Sequence, residues 1–303
     1  MGRKQRREGP TGFAIVDKAP GFTSHDVVAK ARGIFGTRKV GHSGTLDPDA
    51  TGVLLLGVGR ATRLLRFLDG AQKSYVGEIV LGVETDTLDA AGETIATHDM
   101  DGVTLAEVVA ASKSFVGDIM QVPPMVSAIK IDGKRLHQLA REGIEVERPP
   151  RPVTIHSLEI APTDEPLVFR ATVSCSSGTY IRSLAADIGS ALGGGAHLRN
   201  LRRTAIGSFA ESEAHPIDDA VLLPAAVAVR DLAPVTVDDK TADDIRYGRV
   251  LDRERIGLTG DGPYPLLDDS GELLAVYEPH KANTVKPAIV LAQPLPKQEA
   301  DPS

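Results

Sequence analysis

Residues 12–18, GFAIVDK, set β-branched and aromatic side chains between glycine-bearing flanks, and they are expected to form a strand. The period then changes. In TSHDVVAKARGIFG, Val27, Ala31 and Ile34 recur at helical spacing behind the capping box Thr23/Asp26, with a stop at Gly36. VLLLGVG at 53–59 reads as a strand, ATRLLRFLDG as a short basic helix ending at Gly70, and KSYVGEIVLG as a strand buried on both faces. The segment GHSGTLDPDATG, residues 41–52, thus falls between a helix and a strand.

A second capping box, Thr104 with Glu107, opens an amphipathic helix in TLAEVVAASKSFVGD. LVFRATVSC alternates Leu167, Phe169, Ala171, Val173 and Cys175 against Val168, Arg170, Thr172 and Ser174, a strand whose apolar face carries Cys175 as a small buried residue. TYIRSLAADIGSALGGG places Leu184, Ile188 and Leu192 on one helix face and ends in glycines. The strand-like LRRTAIGSF and a helix around 216–230 follow. Residues 123–151 interrupt this order with a proline-flanked excursion poor in apolar residues, which carries Lys130, Lys134, Arg135, Arg141, Arg148 and Arg151. From Asp231 the composition turns acidic, and PLLDDSGELLAVY signals a hairpin in a small separate β module. The expected organisation is a basic arm at 1–11, a main domain at 12–230 and a module with its tail at 231–303.

A chain of 303 residues, 42% hydrophobic, can bury a core of that size. No run reaches the roughly 18 apolar residues of a membrane span, and MGRKQRREGP lacks the apolar centre of a secretory signal, so a cytosolic protein is expected. The single cysteine excludes an internal disulfide, and eight histidines without a Cys/His cluster give no zinc site. Neither a P-loop nor a dinucleotide fingerprint occurs. The chemistry is therefore expected to come from side chains, with no cofactor and no metal. The net charge of −7 opposes nucleic-acid binding, but residues 1–70 carry twelve Lys/Arg against six Asp/Glu, whereas 231–303 carry eight against fourteen. A basic front end suits a polyanionic substrate.

The aspartate in GTLDPDATG is the strongest chemical candidate. Proline forces Asp47 out of helical conformation, and glycines at 41, 44 and 52 let the chain turn around it. The segment presents one carboxylate at a fixed angle or is an ordinary Asp-Pro turn; the loop alone leaves both open. Asp49 does not make a glycosidase pair with it, because neighbours in extended chain point opposite ways, while such pairs face each other across a sugar.

GHSGTLDPDATGVLLLGVGRATR resembles the signature loop of the bacterial tRNA pseudouridine-55 synthases, the TruB family. Further matching segments follow in the family's order: GFAIVDKAPGFTSHDVV, KSYVGEIVLG, TDTLDAAGE, VPPMVSAIKIDGKRLHQLAREG, RPVTI, CSSGTYIRSLAADIG and GGGAHLRNLRRTAIG. The resemblance spans about residues 12–218. It implies an α+β pseudouridine-synthase-like fold with a central, largely antiparallel sheet and a small C-terminal PUA-like β module. It also implies a monomer that isomerises one uridine in the T-loop of tRNA and needs no protein partner or membrane.

By the same resemblance Asp47 is the catalytic residue, as nucleophile or acid/base group, and Arg182 is its ion-pair partner. Tyr75 stacks on the flipped-out base, Tyr180 lines the pocket, and Leu201 walls off the base. His42 stacks within the RNA loop, while Lys130 and Arg141 bind phosphate from a clamping insertion at 123–151. Asp49, Val126 and His137 depart from the family's usual residues, and the acidic tail departs from an RNA-gripping module. Two rival readings remain at this point: a non-catalytic RNA-binding protein with a vestigial Asp47, and a nucleoside hydrolase that releases free uracil.

Overall fold

In the computed structural model, residues 9–127, 130–131, 134–135 and 146–293 are described, the four between 130 and 135 by backbone alone. The basic arm through residue 8, Arg141, His137 and the side chain of Lys130 lie outside the described residues. Strand β1 (Gly12–Lys18) occupies the residues its apolar run predicts. It leads into α1 (Ser24–Ile34), whose capping box is formed: the Asp26 amide donates to Thr23 Oγ1 at 3.1 Å, and the Thr23 amide donates to Asp26 Oδ2 at 2.9 Å. The helix ends just before Gly36, which takes a left-handed φ of 61°.

The next elements depart from expectation. Strand β2 (Val40–Ser43) pairs antiparallel with β3 (Thr51–Val58), so the Asp47 loop joins two strands rather than a helix and a strand. With only VGHS in β2, no apolar run announces it. Gly59–Leu68 forms a 3₁₀ helix. In β4 (Lys73–Leu81), Lys73, Tyr75, Gly77, Ile79 and Leu81 are buried and the intervening residues half-buried. The strand is therefore one-sided rather than buried on both faces, because Ser74 and Glu78 stay toward solvent on the other side.

A short hairpin, β5 (Val83–Thr85) with β6 (Thr94–Thr97), precedes α2 (Leu105–Ser112), which opens on its own formed capping box. Strand β7 (Gly117–Gln121), the small pair β8 (Lys130–Ile131) and β9 (Lys134–Arg135), and the long strands β10 (Arg151–Pro162) and β11 (Val168–Cys175) follow. Helix α3 (Ile181–Ala191) leads to β12 (Ala196–Ile206), then β13 (Phe209–Ala210) and β14 (His215–Pro216). In place of the helix expected at 216–230 stand two 3₁₀ turns, Ile217–Asp219 and Ala225–Val229, each directly behind a proline, Pro216 and Pro224. Pro216 suits a helix start, but Pro224 disfavours helical conformation at Leu223 and breaks the run.

The main sheet runs β14-β1-β3-β12-β4-β11-β10-β7, with β2 on β3 and β13 on β12. It is antiparallel except at β1/β14 and β3/β12. Helices α2 and α3 cover one apolar cluster, including Ile79, Val173, Leu184 and Ile188, and α1 covers another, including Val16, Val27 and Leu54. The last residues form β15 (Val235–Thr236), α4 (Asp239–Arg246), β16 (Leu251–Asp252), β17 (Tyr264–Leu267), β18 (Leu273–Pro279) and β19 (Thr284–Val290). They make a second, five-stranded sheet in the order β15-β17-β18-β19-β16. Leu273, Val276 and Ile289 of this sheet share a buried cluster with Phe13, Leu64 and Phe209, so it packs directly on the main domain. No helix among the described residues is long and apolar enough to cross a membrane.

Gly52 fixes the point where the Asp47 loop re-enters the sheet. Its φ is 100°, and a Cβ there would stand 2.1 Å from the Arg203 carbonyl oxygen, which belongs to the neighbouring strand. Gly21, with φ 79°, has open space around it. Gly52→Ala is therefore expected to lower unfolding stability by about 3 kcal/mol or more, combining strain with overpacking. Gly21→Ala is expected to cost about 1 kcal/mol from φ alone, and urea unfolding of both variants measures the difference.

Candidate active site

The Asp47 loop is held on both sides of the aspartate. The Leu46 amide donates to Ser24 Oγ at 2.9 Å, and the Leu46 side chain is buried in the core. On the other side the Pro48 carbonyl accepts from Lys18 Nζ at 2.7 Å and from the Gly21 amide at 3.0 Å. Lys18 also donates to the carbonyls of Phe22 at 2.6 Å and Ala19 at 3.0 Å, so a fully buried ammonium knots the end of β1 to the loop. Burial lowers its pKa to about 8, against the pull of Asp49 and Asp47. The Asp-Pro turn itself is formed, the Ala50 amide donating to the Asp47 carbonyl at 3.2 Å, and its backbone is tied to the fold on both sides of the aspartate.

Arg182 meets that carboxylate from the first turn of α3. Its Nε lies 3.0 Å from Asp47 Oδ2, and Nη2 donates to Asp47 Oδ1 at 3.3 Å, a two-point grip. Nη1 donates to Thr87 O at 2.8 Å and lies 3.3 Å from Asp89 Oδ2, while Nη2 also donates to Val126 O at 2.8 Å. The Arg182 side chain is 5% exposed and that of Asp47 43% exposed. Arginine is thus the anchored partner, and Asp47 is the group that reaches the opening. Desolvation by the surrounding walls raises the Asp47 pKa; Arg182 counters it, Asp89 adds to the rise, Lys18 opposes, and Asp49 adds a smaller push. Asp49 itself is exposed.

The start of α3 is positioned by β7. Gln121, at the end of that strand, donates Nε2 to Tyr180 O at 3.0 Å and accepts from the Tyr180 amide at 2.8 Å, and Ser183 Oγ donates to Val122 O at 3.0 Å. Burial raises the Tyr180 phenol pKa, with Ser127, Arg151 and Arg182 opposing. Tyr75 projects from the buried face of β4, with the Arg203 guanidinium of β12 acting on its phenol as a nearby positive charge. Burial is the largest influence on the Tyr75 phenol and raises its pKa, with Arg203 opposing. Strand β12 breaks register with β4 between Arg199 and Arg202, where Asn200 takes a φ of 55°. That irregularity re-aims Leu201 toward Tyr75 and the loop.

The result is a cavity of about 270 Å³, near the lower end of the range for ligand pockets. Asp47, Tyr75, Tyr180, Arg182 and Leu201 all line it, as the family resemblance expects. Lys73, Arg203 and the Gly178–Thr179 turn complete the wall. A second cavity of about 440 Å³ lies on the other side of Asp47 and Arg182, lined by Asp89, Ala90, Val126 and Asn200. His42 lies outside both linings, half-buried on β2, with its ring 5.4 Å edge-on from that of His25. Its Nδ1 is buried with no hydrogen-bond partner among the described residues. Desolvation, followed by His25 and Arg203, lowers its pKa to about 4, so the ring is neutral near pH 7. Cys175 is buried, with its thiol pushed up to about 11 by burial, which fits the inert role expected of it.

Sequence reasoning assigned no role to Lys18, Asp89, Gln121, Lys73 or Arg203. TDTLDAAGE carries Asp89, but nothing in its spacing reports that the side chain turns back onto Arg182. Lys73 sits two residues before Tyr75 and so shares its face of the sheet, a periodicity that was available.

The chain has counterparts among known proteins. The family model "TruB family pseudouridylate synthase (N terminal domain)" matches residues 32–181, and "tRNA pseudouridylate synthase B C-terminal domain" matches residues 182–231. A tRNA pseudouridine synthase B of Geobacillus thermodenitrificans is 44% identical over 288 residues, covering 89% of this chain and 95% of the relative. That of Rhodococcus jostii is 47% identical over 277 residues, covering 88% and 90%. Among solved structures, a Cbf5–Nop10–Gar1 complex contains a chain with TM-score 0.71 and 28% identity, the match covering 93% of this chain and 85% of that one. An archaeal box H/ACA sRNP Nop10–Cbf5 complex gives TM-score 0.71 at 26% identity, covering 98% and 91%.

The charges around Asp47 set a titration test. Asp89→Asn removes a negative neighbour and frees Arg182 to face Asp47 alone, so the Asp47 carboxyl pKa is expected to fall. Carbon-13 NMR of labelled aspartate checks this: a downward shift agrees, and an unchanged or higher value refutes the coupling through Arg182.

Proposed function

The chain belongs to the TruB family of pseudouridylate synthases and isomerises uridine to pseudouridine in tRNA; from this premise we propose that its target is the T-loop uridine at position 55 and that Asp47 is its catalytic residue. One observation carries the assignment: Asp47 is clamped at the mouth of a cavity by a buried arginine, opposite a buried tyrosine and a leucine.

The reaction breaks the N1–C1′ bond, turns the base, and joins C5 to C1′ with loss of the C5 proton. It occurs within one nucleotide and consumes no redox or phosphoryl equivalents. A uridine stacked in an RNA loop cannot enter such a cavity, so it must be extruded, and an extruded base gains stability by stacking on an aromatic ring. Tyr75 offers that ring, Leu201 closes the opposite wall, and Tyr180 borders the entrance. Arg182 favours the ionised form of Asp47, which is needed for attack on the sugar or for proton abstraction and which the surrounding walls would otherwise suppress.

His42 inserts into the T-loop and stacks there, helping to hold the flipped-out conformation. A neutral imidazole with an unpartnered buried nitrogen suits stacking and one further hydrogen bond. Lys130, Arg141 and the rest of the 123–151 insertion contact phosphates, which adds affinity without sequence readout. The protein works as a cytoplasmic monomer, and its C-terminal module buttresses the main domain.

Asp47→Asn tests the reading. With tRNA labelled by tritium at uridine C5, the parent is expected to release tritium and the variant to release none, with tRNA binding within a few-fold of the parent. Loss of binding in proportion to activity would make Asp47 a structural residue. Release of free uracil in place of pseudouridine would establish a hydrolase.

A further inference from the structure

Two cations in the cavity have no part in the chemistry given to Asp47 and Arg182. Lys73 begins β4, is 6% exposed, and donates Nζ to Ala71 O at 3.1 Å. Arg203, on β12, is 1% exposed; it donates Nε to Val53 O at 2.8 Å and Nη2 to Gly44 O at 2.9 Å. Both line the cavity. The other interior and rim arginines are paired: Arg182 with Asp47 and Asp89, Arg199 with Glu78 and Glu165, and Arg202 with Asp17 and Glu211. Among the described residues, neither Lys73 nor Arg203 has a carboxylate within ion-pair distance.

Two adjacent buried cations without a counter-ion are expensive to keep. Their cost is offset when an anion enters. Position decides which part of the substrate supplies it. The Asp47 side chain is 43% exposed whereas Lys73 and Arg203 are buried in the same lining, so a nucleotide whose C1′ meets Asp47 has its base toward the cations and its phosphates toward solvent. Uracil becomes anionic in this reaction. When the N1–C1′ bond breaks, its electron pair leaves with the base, and the charge spreads over O2 and O4 until C5 bonds to C1′ and gives up its proton.

Building on the assignment of this cavity to the target uridine, we propose that Lys73 is a further catalytic residue, which with Arg203 faces the uracil carbonyl oxygens and stabilises the base as an anion between departure and rejoining. The groups facing Lys73 are Arg203 from β12, the Cys175 thiol from β11, and Asp69 from the end of the 3₁₀ helix. Burial lowers the lysine pKa, Arg203 adds to this, and Cys175 and Asp69 oppose it. The cation is lost as pH rises through that lowered pKa, so the rate is expected to fall on the alkaline side below the ordinary lysine range.

The test is single-turnover kinetics at saturating tRNA with Lys73→Met, which keeps the length and removes the charge. The expected result is a rate about 100-fold lower, the scale of removing one preorganised charge donor, with unchanged tRNA affinity, unchanged thermal midpoint and no lysine-dependent alkaline limb. Lys73→Arg is expected to recover at least tenfold of the loss. A substrate with 5-fluorouridine at the target, followed by chromatography of the nuclease digest, separates electrostatics from structure. Fluorine stabilises the departing anion, so the deficit of Lys73→Met is expected to shrink severalfold there. A near-parental rate, an equal deficit on both substrates, or a loss confined to affinity with a weaker salt dependence would each overturn the proposal, the last assigning Lys73 to phosphate. An inactive Asp47→Asn beside a fully active Lys73→Met would overturn the lysine role alone, whereas an active Asp47→Asn would remove the site assignment itself.

Discussion

The site depends on one guanidinium. Arg182 is buried, and its contacts reach the Asp47 loop, the Thr87–Asp89 segment and the chain after β7 at Val126. Three of these contacts are hydrogen bonds, to Thr87 O, Val126 O and Asp47 Oδ1, and two are ion-pair contacts, to Asp47 Oδ2 and Asp89 Oδ2, a set that suits the fixed fork of arginine. A lysine has one charge centre on a flexible stem and cannot hold three segments at once. Because the acceptors come from distant parts of the chain, the ion pair forms only when the main sheet, α3 and the β5/β6 hairpin are all in place. The geometry of the site and the tertiary fold are therefore coupled at this residue.

The backbone supplies the other half of the constraint. An Asp-Pro step favours extended chain, but by itself it does not fix where the loop goes. Ser24 at the start of α1 and Lys18 at the end of β1 do so by binding the residues on either side of Asp47. Lys18 and Arg182 also enclose the carboxylate with positive charge, against the opposing pull of Asp89 and Asp49. The pocket thus sets burial, Asp89 and Asp49, which raise the carboxyl pKa, against Arg182 and Lys18, which lower it, and the balance lies upward.

Much of this was legible in the sequence where the signal is local. The capping boxes at Thr23 and Thr104, the alternation of β11 and the Asp-Pro step in the glycine-hinged loop each reflect interactions within a few residues, and each stands in the fold where it was read. Asp47, Tyr75, Tyr180, Arg182 and Leu201 come together in one cavity because ordered motif matches carried information about distant contacts that no periodicity holds. The failures have the opposite character. Strand β2 is too short to show a pattern and exists because β3 offers it an edge. The 216–230 helix is interrupted at Pro224, and β4 is half-open because of its neighbours. Lys18, Lys73 and Arg203 look like ordinary surface charges in sequence, and only the assembled sheet reveals them as interior cations. Asp89 gains its role from Arg182, more than ninety positions later.

The most direct measurement is the single-turnover rate of Arg182→Lys at saturating tRNA, taken together with a crystal structure of the variant. The substitution keeps the positive charge and removes the fork. Arg182 as the organising contact predicts a loss of at least about 100-fold, intact tRNA binding and an Asp47 side chain displaced from its place in the cavity. A near-parental rate with Asp47 unmoved would contradict it and leave the loop clamp of Lys18 and Ser24 as sufficient to position the carboxylate.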